Sequence, residues 1–241
     1  MFYCFISPQD IEAGLISVTG ENFNHLKTVL HASAGEMIRV RSDRFIYEAR
    51  IETIGKDRIL ARIFSSKETD AGHTPKLILA PALIQEKNFD LLLQQSVQLG
   101  ISSILPILTK NVANHRMKPD RKERWQKIVK AACMQSQRKE IPEVHEPAEF
   151  TSVVEDYLGR KDIRMVMPYE LEQTRIIDAP LFEGVLETVV FIGPEGGWSV
   201  DEATFARKHG VITVSLGGNI LRAETAALVS LTLVSRCLGI L

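Results

Sequence analysis

The chain has 241 residues, of which 45% are hydrophobic and 24% are charged, and its formal net charge is -1. A chain of this length and composition can bury a sizeable core, which excludes an intrinsically disordered protein. No apolar stretch reaches the ~18 uninterrupted residues of a membrane-spanning helix. Residues Met1–Asp10 carry no basic region before an apolar block, which argues against a secretory signal. We therefore expect a globular cytoplasmic protein with no membrane association.

The cysteines and histidines point to neither a disulfide framework nor a metal site. Cys4, Cys133 and Cys237 are far apart in the sequence and form no C-x-x-C pair. The six histidines have no spacing that is typical of metal ligands. We expect three buried or incidental thiols and no bound metal.

Charge is distributed unevenly along the chain. The segment from Lys110 to Lys139 contains ten basic and two acidic residues, or +8, which leaves -9 for the remaining residues. A positive field of this size suits a polyanion, because bound phosphates release their counterions. A solvated helix face would also account for it, and composition alone leaves both interpretations open.

Residues 1 to about 65 consist of short runs rich in β-formers, which predict a small β-barrel. One helix is predicted at Asn22–Leu30, where Phe23, Leu26, Val29 and Leu30 share a face. The predicted strands are Phe2–Ile6, Leu15–Val18, Met37–Val40, Phe45–Ile54 and Arg58–Phe64.

A polar linker at Ser65–Pro75 separates this part from a region in which apolar runs alternate with helical patterns. Such alternation predicts a mostly parallel sheet covered by helices, in a second domain at residues 71–241 that follows a first domain at residues 1–70. The predicted strands are Leu77–Ala82, Ile101–Leu108, Ile163–Met167, Thr188–Ile192 and Val211–Leu216, and the predicted helices are Lys87–Leu99, Asp120–Gln137, Asp201–His209 and Ala223–Leu238.

Several common motifs are absent from the sequence. It contains no G-x-G of a Rossmann loop, no P-loop and no G-x-S-x-G. A dinucleotide-binding loop, a P-loop nucleotide site and a serine hydrolase elbow are therefore excluded.

A first glycine-rich loop, residues 193–199 (G-P-E-G-G-W-S), directly follows the predicted strand Thr188–Ile192. Glycines at the carboxyl end of a strand let the backbone approach a ligand, and open α/β sheets bind their ligands at that end. A plain strand-to-helix turn is the alternative. In that case Ser199 and Glu202 only form a capping box for the next helix.

A second glycine-rich loop begins at Gly217 and leads into the C-terminal helix with the sequence G-G-N-I-L-R-A-E-T-A-A. Arg222 and Glu224 are charged residues at the start of an otherwise apolar helix. This position favours a chemical role for both, although a helix cap or a mutual ion pair would also explain them.

The two loops, F-I-G-P-E-G-G-W-S-x-x-E at 191–202 and L-G-G-N-I-L-R-A-E-T-A-A-L at 216–228, resemble the signature loops of the 16S rRNA uracil-N3 methyltransferase family of the SPOUT superfamily. The resemblance extends to E-K at 86–87, S-V-Q-L-G at 96–100, W-Q-K-I at 125–128 and A-A-C-M-Q-S-Q-R at 131–138. The N-terminal region is similar to the PUA-like RNA-binding barrel of this family.

The resemblance implies an α/β fold, with a PUA-like β-barrel at residues 1–70 and a SPOUT domain at residues 71–241 whose C-terminal part forms a trefoil knot. It implies a homodimer that binds S-adenosylmethionine and methylates N3 of one uridine in the decoding region of 16S rRNA in the small ribosomal subunit. The implied cofactor-binding residues are Met167, Pro168, Gly193, Pro194, Glu195, Gly196, Gly197, Leu216, Gly217, Ile220, Leu221, Arg222, Glu224, Thr225 and Ala226.

For catalysis we expect Arg222 to stabilise charge that develops on the uracil oxygens. Glu224 or Glu195 would accept a proton or hold Arg222 in place. RNA contacts are expected from Arg39, Arg41 and Arg44 at the edge of the barrel and from Lys122, Arg124, Lys127 and Arg138 in the basic segment.

Four positions depart from the family pattern. Gln98 stands where a glutamate is usual, Asn111 and Asn219 stand where arginines are frequent, and His31 stands where an arginine is usual. These departures concern expected RNA contacts, whereas both cofactor loops are intact. Two other functions stay open, a SPOUT-type ribose 2'-O-methyltransferase and an RNA-binding ribosome-assembly factor without catalytic turnover.

Overall fold

The computed structural model describes residues 2–42, 45–68, 75–111, 121–138, 140–173 and 177–241. The chain divides into two compact units, residues 1–72 and 73–241. Within the described ranges, every helix is too short or too polar to cross a lipid bilayer.

The first unit is built on a sheet of six strands, β1 (Phe2–Phe5), β2 (Ile11–Glu12), β3 (Leu15–Thr19), β4 (Met37–Ser42), β5 (Phe45–Ile54) and β6 (Arg58–Glu68). Their order in the sheet is β1-β4-β5-β6-β3-β2. Only β1 and β4 pair in parallel, and the other neighbours are antiparallel. Ile59 and Ala61 are fully buried while Arg58 and Arg62 are exposed, as the alternating pattern of this strand predicts.

The helix predicted at Asn22–Leu30 is present in a different form. A short α-helix, α1 (Gly20–Asn24), continues directly into a π-helical turn at His25–Val29. Phe23 and Leu26 are buried as predicted, but Val29 is 62% exposed. The prediction that Val29 shares their face is wrong because the wider π turn rotates the side chains that follow away from an α-helical register.

The described strands of the second unit are β7 (Lys76–Pro81), β8 (Ser103–Ile104), β9 (Ile107–Leu108), β10 (Glu143–Val144), β11 (Ala148–Glu149), β12 (Ile163–Pro168), β13 (Glu187–Ile192) and β14 (Ile212–Val214). Six of them form one sheet in the order β10-β8-β7-β13-β12-β14. A separate two-stranded sheet pairs β9 with β11. The described helices of this unit are α2 (Glu86–Gln98), α3 (Arg121–Ser136), α4 (Phe150–Asp156), α5 (Val200–Lys208) and α6 (Ala223–Cys237).

The central strands of this sheet are parallel to their neighbours, as predicted. β13 lies between β7 and β12, and β14 pairs with the other side of β12. Val189, Val190 and Phe191 of β13 are fully buried, because the strand is covered on both faces. The carboxyl ends of β7, β12, β13 and β14 therefore meet at one edge of the sheet.

The run Ile101–Leu108 was predicted as one strand and forms two short ones. Pro106 lies between β8 and β9 and has no N–H with which to continue a hydrogen-bonded ladder. The chain passes there from the large sheet to the two-stranded sheet.

Helix α4 was not predicted from the sequence, and it supports the sheet edge. The ring of Phe150 lies 5.3 Å from that of Phe191 in an edge-to-face arrangement and 4.9 Å from the indole of Trp198. Phe150 is almost fully buried, and a side chain of this size stabilises a fold by roughly 1.5–3 kcal/mol. This aromatic cluster holds the loop after β13 against the core.

Candidate active site

A cavity of about 750 Å³ opens at the carboxyl edge of the parallel sheet. Its walls come from the segments that follow β7, β12, β13 and β14. Ligands of open α/β sheets bind at this position. The lining residues are Gln85, Asn88 and residues 168–170, 192–198, 215–224 and 226.

The first glycine loop is anchored by Trp198. Its indole Nε1 donates a hydrogen bond of 3.1 Å to the carbonyl oxygen of Pro168, at the end of β12. A Cβ atom at Gly193 would lie only 2.9 Å from the same Nε1. Gly193 is therefore needed to make room for the indole, a packing reason that the sequence did not indicate.

Gly197 is required both by its backbone conformation and by a close neighbour. Its φ is +71°, and a Cβ atom there would meet Oε1 of Glu170 at 2.5 Å. The positive φ closes a turn in which the N–H of Gly197 donates to the carbonyl oxygen of Pro194. The carboxylate of Glu170, which also lines the cavity, packs directly on this turn.

Glu195 of the first loop is bound to the neighbouring helix. Its Oε1 accepts a hydrogen bond of 2.9 Å from the backbone N–H of Gln85, the residue that precedes α2. The positive end of the α2 dipole favours a carboxylate at this position. Glu195 thus joins the first loop to α2, which reduces its suitability as a proton acceptor.

The end of the first loop is closed by the predicted capping box. Ser199 Oγ accepts the N–H of Glu202, and Glu202 Oε2 accepts the N–H of Ser199 at 2.9 Å. The capping prediction for Ser199 is confirmed. The capping box is present together with a cavity large enough for a ligand. A simple strand-to-helix turn therefore does not by itself explain the glycines of the first loop.

The second glycine loop connects β14 to α6 and begins at Gly217, whose φ is +109° with open space where a Cβ would lie. Here the backbone conformation, and not crowding, requires glycine. Ile220 lines the cavity and is 88% exposed, an unusual exposure for a large apolar side chain.

Arg222 and Glu224, for which we predict catalytic roles, both line the cavity. Arg222 occupies the N-cap position of α6 with an extended backbone, and its side chain makes no capping hydrogen bond. Oε2 of Glu224 is buried without a hydrogen-bond partner among the described residues. A buried carboxylate oxygen of this kind is stabilised when a ligand supplies a donor.

Two of the predicted cofactor residues do not reach the cavity. Met167 is fully buried and packs in the core with Met165, because alternate residues of β12 face the same side of the sheet. Thr225 is exposed and lies outside the lining, although Glu224 and Ala226 on either side of it belong to the lining. For these two residues the expected cofactor contact stays a prediction that the cavity lining does not support.

The other predicted cofactor residues line the cavity, and the sequence missed part of its wall. Gln85 and Asn88 follow β7, and Tyr169 and Glu170 follow β12. Recognising that four parallel strands end at one edge would have indicated these segments before any motif did.

The basic segment contains fewer free charges than its composition suggests. Arg124 of α3 forms ion pairs with Glu86 and Asp90 of α2, and Lys122 lies 3.2 Å from Glu146. Burial raises the pKa of the Asp90 carboxyl above its ordinary value, and the adjacent Arg124 acts in the opposite direction. These contacts give Arg124 a role in α2–α3 packing that sequence analysis did not foresee.

Arg138, which is expected to contact RNA, also makes hydrogen bonds within the protein. Its part-buried Nη1 donates hydrogen bonds to the carbonyl oxygens of Val97 at 3.0 Å and Ile101 at 2.5 Å. These carbonyls lie at and beyond the C-terminus of α2, where a cation is favoured. Lys127 is exposed on α3 and has no ion-pair partner among the described residues.

Two of the three arginines expected to contact RNA at the barrel edge are buried or paired within the protein. Arg41 is buried, at 8% exposure. Arg39 pairs with Glu48 at 2.9 Å, because the antiparallel register of β4 and β5 sets these residues opposite each other. Arg44 lies outside the described residues.

Two of the three cysteine thiols are shielded from solvent. Cys4 and Cys133 are buried, and burial raises the pKa of Cys133 to about 11, so its thiol stays protonated at neutral pH. Within the described ranges, no three His, Cys, Asp or Glu side chains are grouped to hold a metal ion.

The arrangement of strands and loops agrees with a known family. A family model described as an RNA methyltransferase domain matches residues 72–235. The chain belongs to this RNA methyltransferase family. A second model, an RNA methyltransferase PUA domain, matches residues 18–64 within the first unit.

Relatives of this RNA methyltransferase match over nearly their whole length. The chain is 29% identical over 218 residues to the ribosomal RNA small subunit methyltransferase E of Mesomycoplasma hyopneumoniae. The aligned region covers 89% of this chain and 91% of that protein. The chain is 26% identical over 250 residues to the protein of the same name from Bacillus subtilis, with 97% and 95% covered.

A solved structure matches the methyltransferase over both units. It is a ribosomal RNA small subunit methyltransferase E from Neisseria gonorrhoeae, bound to S-adenosyl methionine. The TM-score is 0.85 at 26% identity, and the match covers 98% of this chain and 97% of that chain.

Proposed function

We propose that the protein transfers a methyl group from S-adenosylmethionine to N3 of one uridine in the decoding region of 16S rRNA. The observation that carries this proposal is the cavity between the two glycine loops, at the carboxyl edge of a methyltransferase sheet. Relatives named small subunit methyltransferase E support an rRNA substrate. The Neisseria gonorrhoeae structure supports the cofactor.

The residues of the cavity fit S-adenosylmethionine. Among the described lining residues, Glu170, Glu195 and Glu224 are opposed by one cation, Arg222, which gives this part of the lining a net charge of -2. A negative lining suits a sulfonium and an ammonium group. The unpartnered Oε2 of Glu224 suits a hydrogen-bond donor that a bound ligand supplies.

Bound in this cavity, S-adenosylmethionine would supply an electrophilic methyl group, so the protein must position and activate the uracil. Uracil N3 is a poor nucleophile until it loses its proton. Glu224 retains an uncommitted oxygen, whereas Glu195 is bound to Gln85, and Glu224 is therefore the better proton acceptor. Alignment by the two loops should contribute most, since well-oriented reactants gain roughly 7 kcal/mol or more.

Arg222 is proposed to stabilise the negative charge that develops on uracil O2 or O4 as the proton leaves. Among the described residues no carboxylate pairs with its side chain, which leaves the guanidinium available to substrate. The alternative role of Glu224 as a holder of Arg222 has no support, because residues two apart at a helix start do not face each other.

The same proposal covers the roles of the two units, the substrate particle, the compartment and the oligomeric state. Residues 1–70 would bind RNA as a PUA-like unit, and residues 71–241 would form the catalytic unit with the C-terminal trefoil knot. The small ribosomal subunit would be the substrate particle, and the cytoplasm the compartment. A homodimer is supported by apolar side chains left exposed near the cavity and on α6, Ile220 at 88% and Leu233 at 38%.

The product of the reaction tests the proposal directly. Small subunits from a strain that lacks this gene, incubated with the protein and labelled cofactor, should gain label in N3-methyluridine on digestion and mass analysis. Subunits from the parental strain already carry the modification and should gain none. N3 methylation removes the Watson-Crick donor, so reverse transcription should also stop beside the base.

Other outcomes would reject the assignment. Label found only on ribose would indicate a 2'-O-methyltransferase, which leaves base pairing intact. Absence of label from every ribosomal substrate would favour the assembly-factor function.

RNA contact through α3 predicts a salt-dependent effect at Lys127. Lys127→Glu should weaken RNA binding by roughly 10-fold at low salt and reduce the slope of log affinity against log salt by about 1, because one phosphate contact is lost. Filter binding across a salt series measures both quantities. Lys161→Glu changes the net charge equally at an exposed turn outside the basic segment, and it should bind as the wild type does. Equal affinity for both variants would show that this face of α3 is only solvated.

A further inference from the structure

The three residues after β9, residues 109–111, form a short strap across the first glycine loop. Nδ2 of Asn111 donates hydrogen bonds to the carbonyl oxygens of Gly197 at 3.0 Å and Gly196 at 3.4 Å. The amide group therefore binds two consecutive carbonyls of a loop that lines the cavity.

The strap itself is fixed to the start of α5. The backbone N–H of Lys110 donates to Oε1 of Glu202 at 2.8 Å, and Lys110 Nζ lies 2.9 Å from Asp201. The other oxygen of Glu202 closes the capping box at Ser199. One carboxylate thus holds both the strap and the far end of the first loop.

The strap also accounts for the glycine at position 196. A Cβ atom there would lie 3.2 Å from Cβ and 3.3 Å from the carbonyl oxygen of Asn111. This is a closer approach than most side chains tolerate, so the backbone of the strap rests on Gly196. The space beside Gly196 is taken up by protein.

The geometry points to Asn111 as a positioning residue that holds the Gly196–Gly197 backbone in its cofactor-binding shape. An amide donor suits this task because both acceptors are neutral carbonyls. The inference rests on the proposed function, because it takes the first loop to be part of the cofactor site.

Asn111→Asp tests the role with an isosteric side chain that cannot donate and that brings a negative charge to two carbonyl oxygens. It should weaken the affinity for S-adenosylmethionine, measured by calorimetry, by about 10-fold or more, and Asn111→Ala should weaken it by about 5-fold. The turnover number at saturating cofactor should stay near that of the wild type, because Asn111 touches no reacting atom. The loss should appear in KM for the cofactor.

Hydrogen exchange of the protein without cofactor provides a separate readout. In Asn111→Asp, exchange of the Gly197 amide and its neighbours should accelerate by about fivefold or more, while the melting temperature changes little. Lys110→Ala is the matched control. It removes only an exposed ion pair and keeps the backbone contact to Glu202, so affinity and exchange should stay at the wild-type values.

Wild-type exchange together with wild-type affinity in both Asn111 variants would overturn the inference. If Asn111→Asp fails to fold, Asn111→Ala decides the matter by the same two measurements. Failure of the proposed function would look different, because the wild-type protein itself would then bind no S-adenosylmethionine. The exchange experiment would still report whether the strap holds the loop.

Discussion

Replacement of Arg222 by alanine should lower the turnover number by about 100-fold or more, since the loss of one preorganised donor at a developing oxyanion typically costs that much. Affinity for S-adenosylmethionine, measured by calorimetry, should change by only a few fold. The reason is that the guanidinium acts on the uracil oxygens, and the rest of the cavity lining is unchanged.

Arg222→Lys keeps the charge but loses the planar fork of donors, so it should recover only part of the activity. Single-turnover measurements with saturating RNA separate the chemical step from RNA binding. Two results would contradict the assigned role: a normal chemical step in Arg222→Ala, or a loss of activity that is fully explained by lost cofactor binding.

A bulky side chain at Ala226 should block the cofactor site. Ala226 lies on the first turns of α6 and lines the cavity. Ala226→Leu keeps a good helix former and adds three carbon atoms. Overpacking of this kind costs typically ~1–3 kcal/mol, so calorimetry should show roughly 5- to 150-fold weaker binding of S-adenosylmethionine.

The matched control is Ala131→Leu, the same substitution at an exposed position of α3 outside the cavity. It should leave cofactor affinity unchanged. Both variants should keep the wild-type circular dichroism spectrum. Wild-type affinity in a folded Ala226→Leu protein would place the cofactor elsewhere.

The sequence indicated the fold well where local periodicity is strong. The apolar runs that became β7, β12 and β13 and the helical patterns of α2 and α6 were predicted to within a few residues. The sequence was less informative for α4, which has only seven residues. It was also less informative for the turn at His25–Val29, where a π conformation replaces the α-helical register. Short elements and irregular turns depend on tertiary packing that local patterns do not contain.

The two glycine loops were recognised correctly, but partly for the wrong physical reason. Gly193 and Gly196 were interpreted as openings for a ligand, whereas they accommodate Trp198 and Asn111. The basic residues show the same limitation. Arg124 is neutralised by carboxylates that lie 38 and 34 residues away in the sequence, and no charge count along the chain reveals such a partner.

The cavity is assembled from segments that are distant in the sequence, and Glu195 binds the backbone of a residue 110 positions earlier. During synthesis on the ribosome, the segment after β7 that forms one wall of the cavity therefore emerges long before the loops after β13 and β14. A ligand that binds only the native state adds a stability of RT ln(1 + [L]/Kd). Truncated chains that lack the last loop cannot gain this stability, so the ligand would protect finished molecules from proteolysis and leave incomplete ones unprotected.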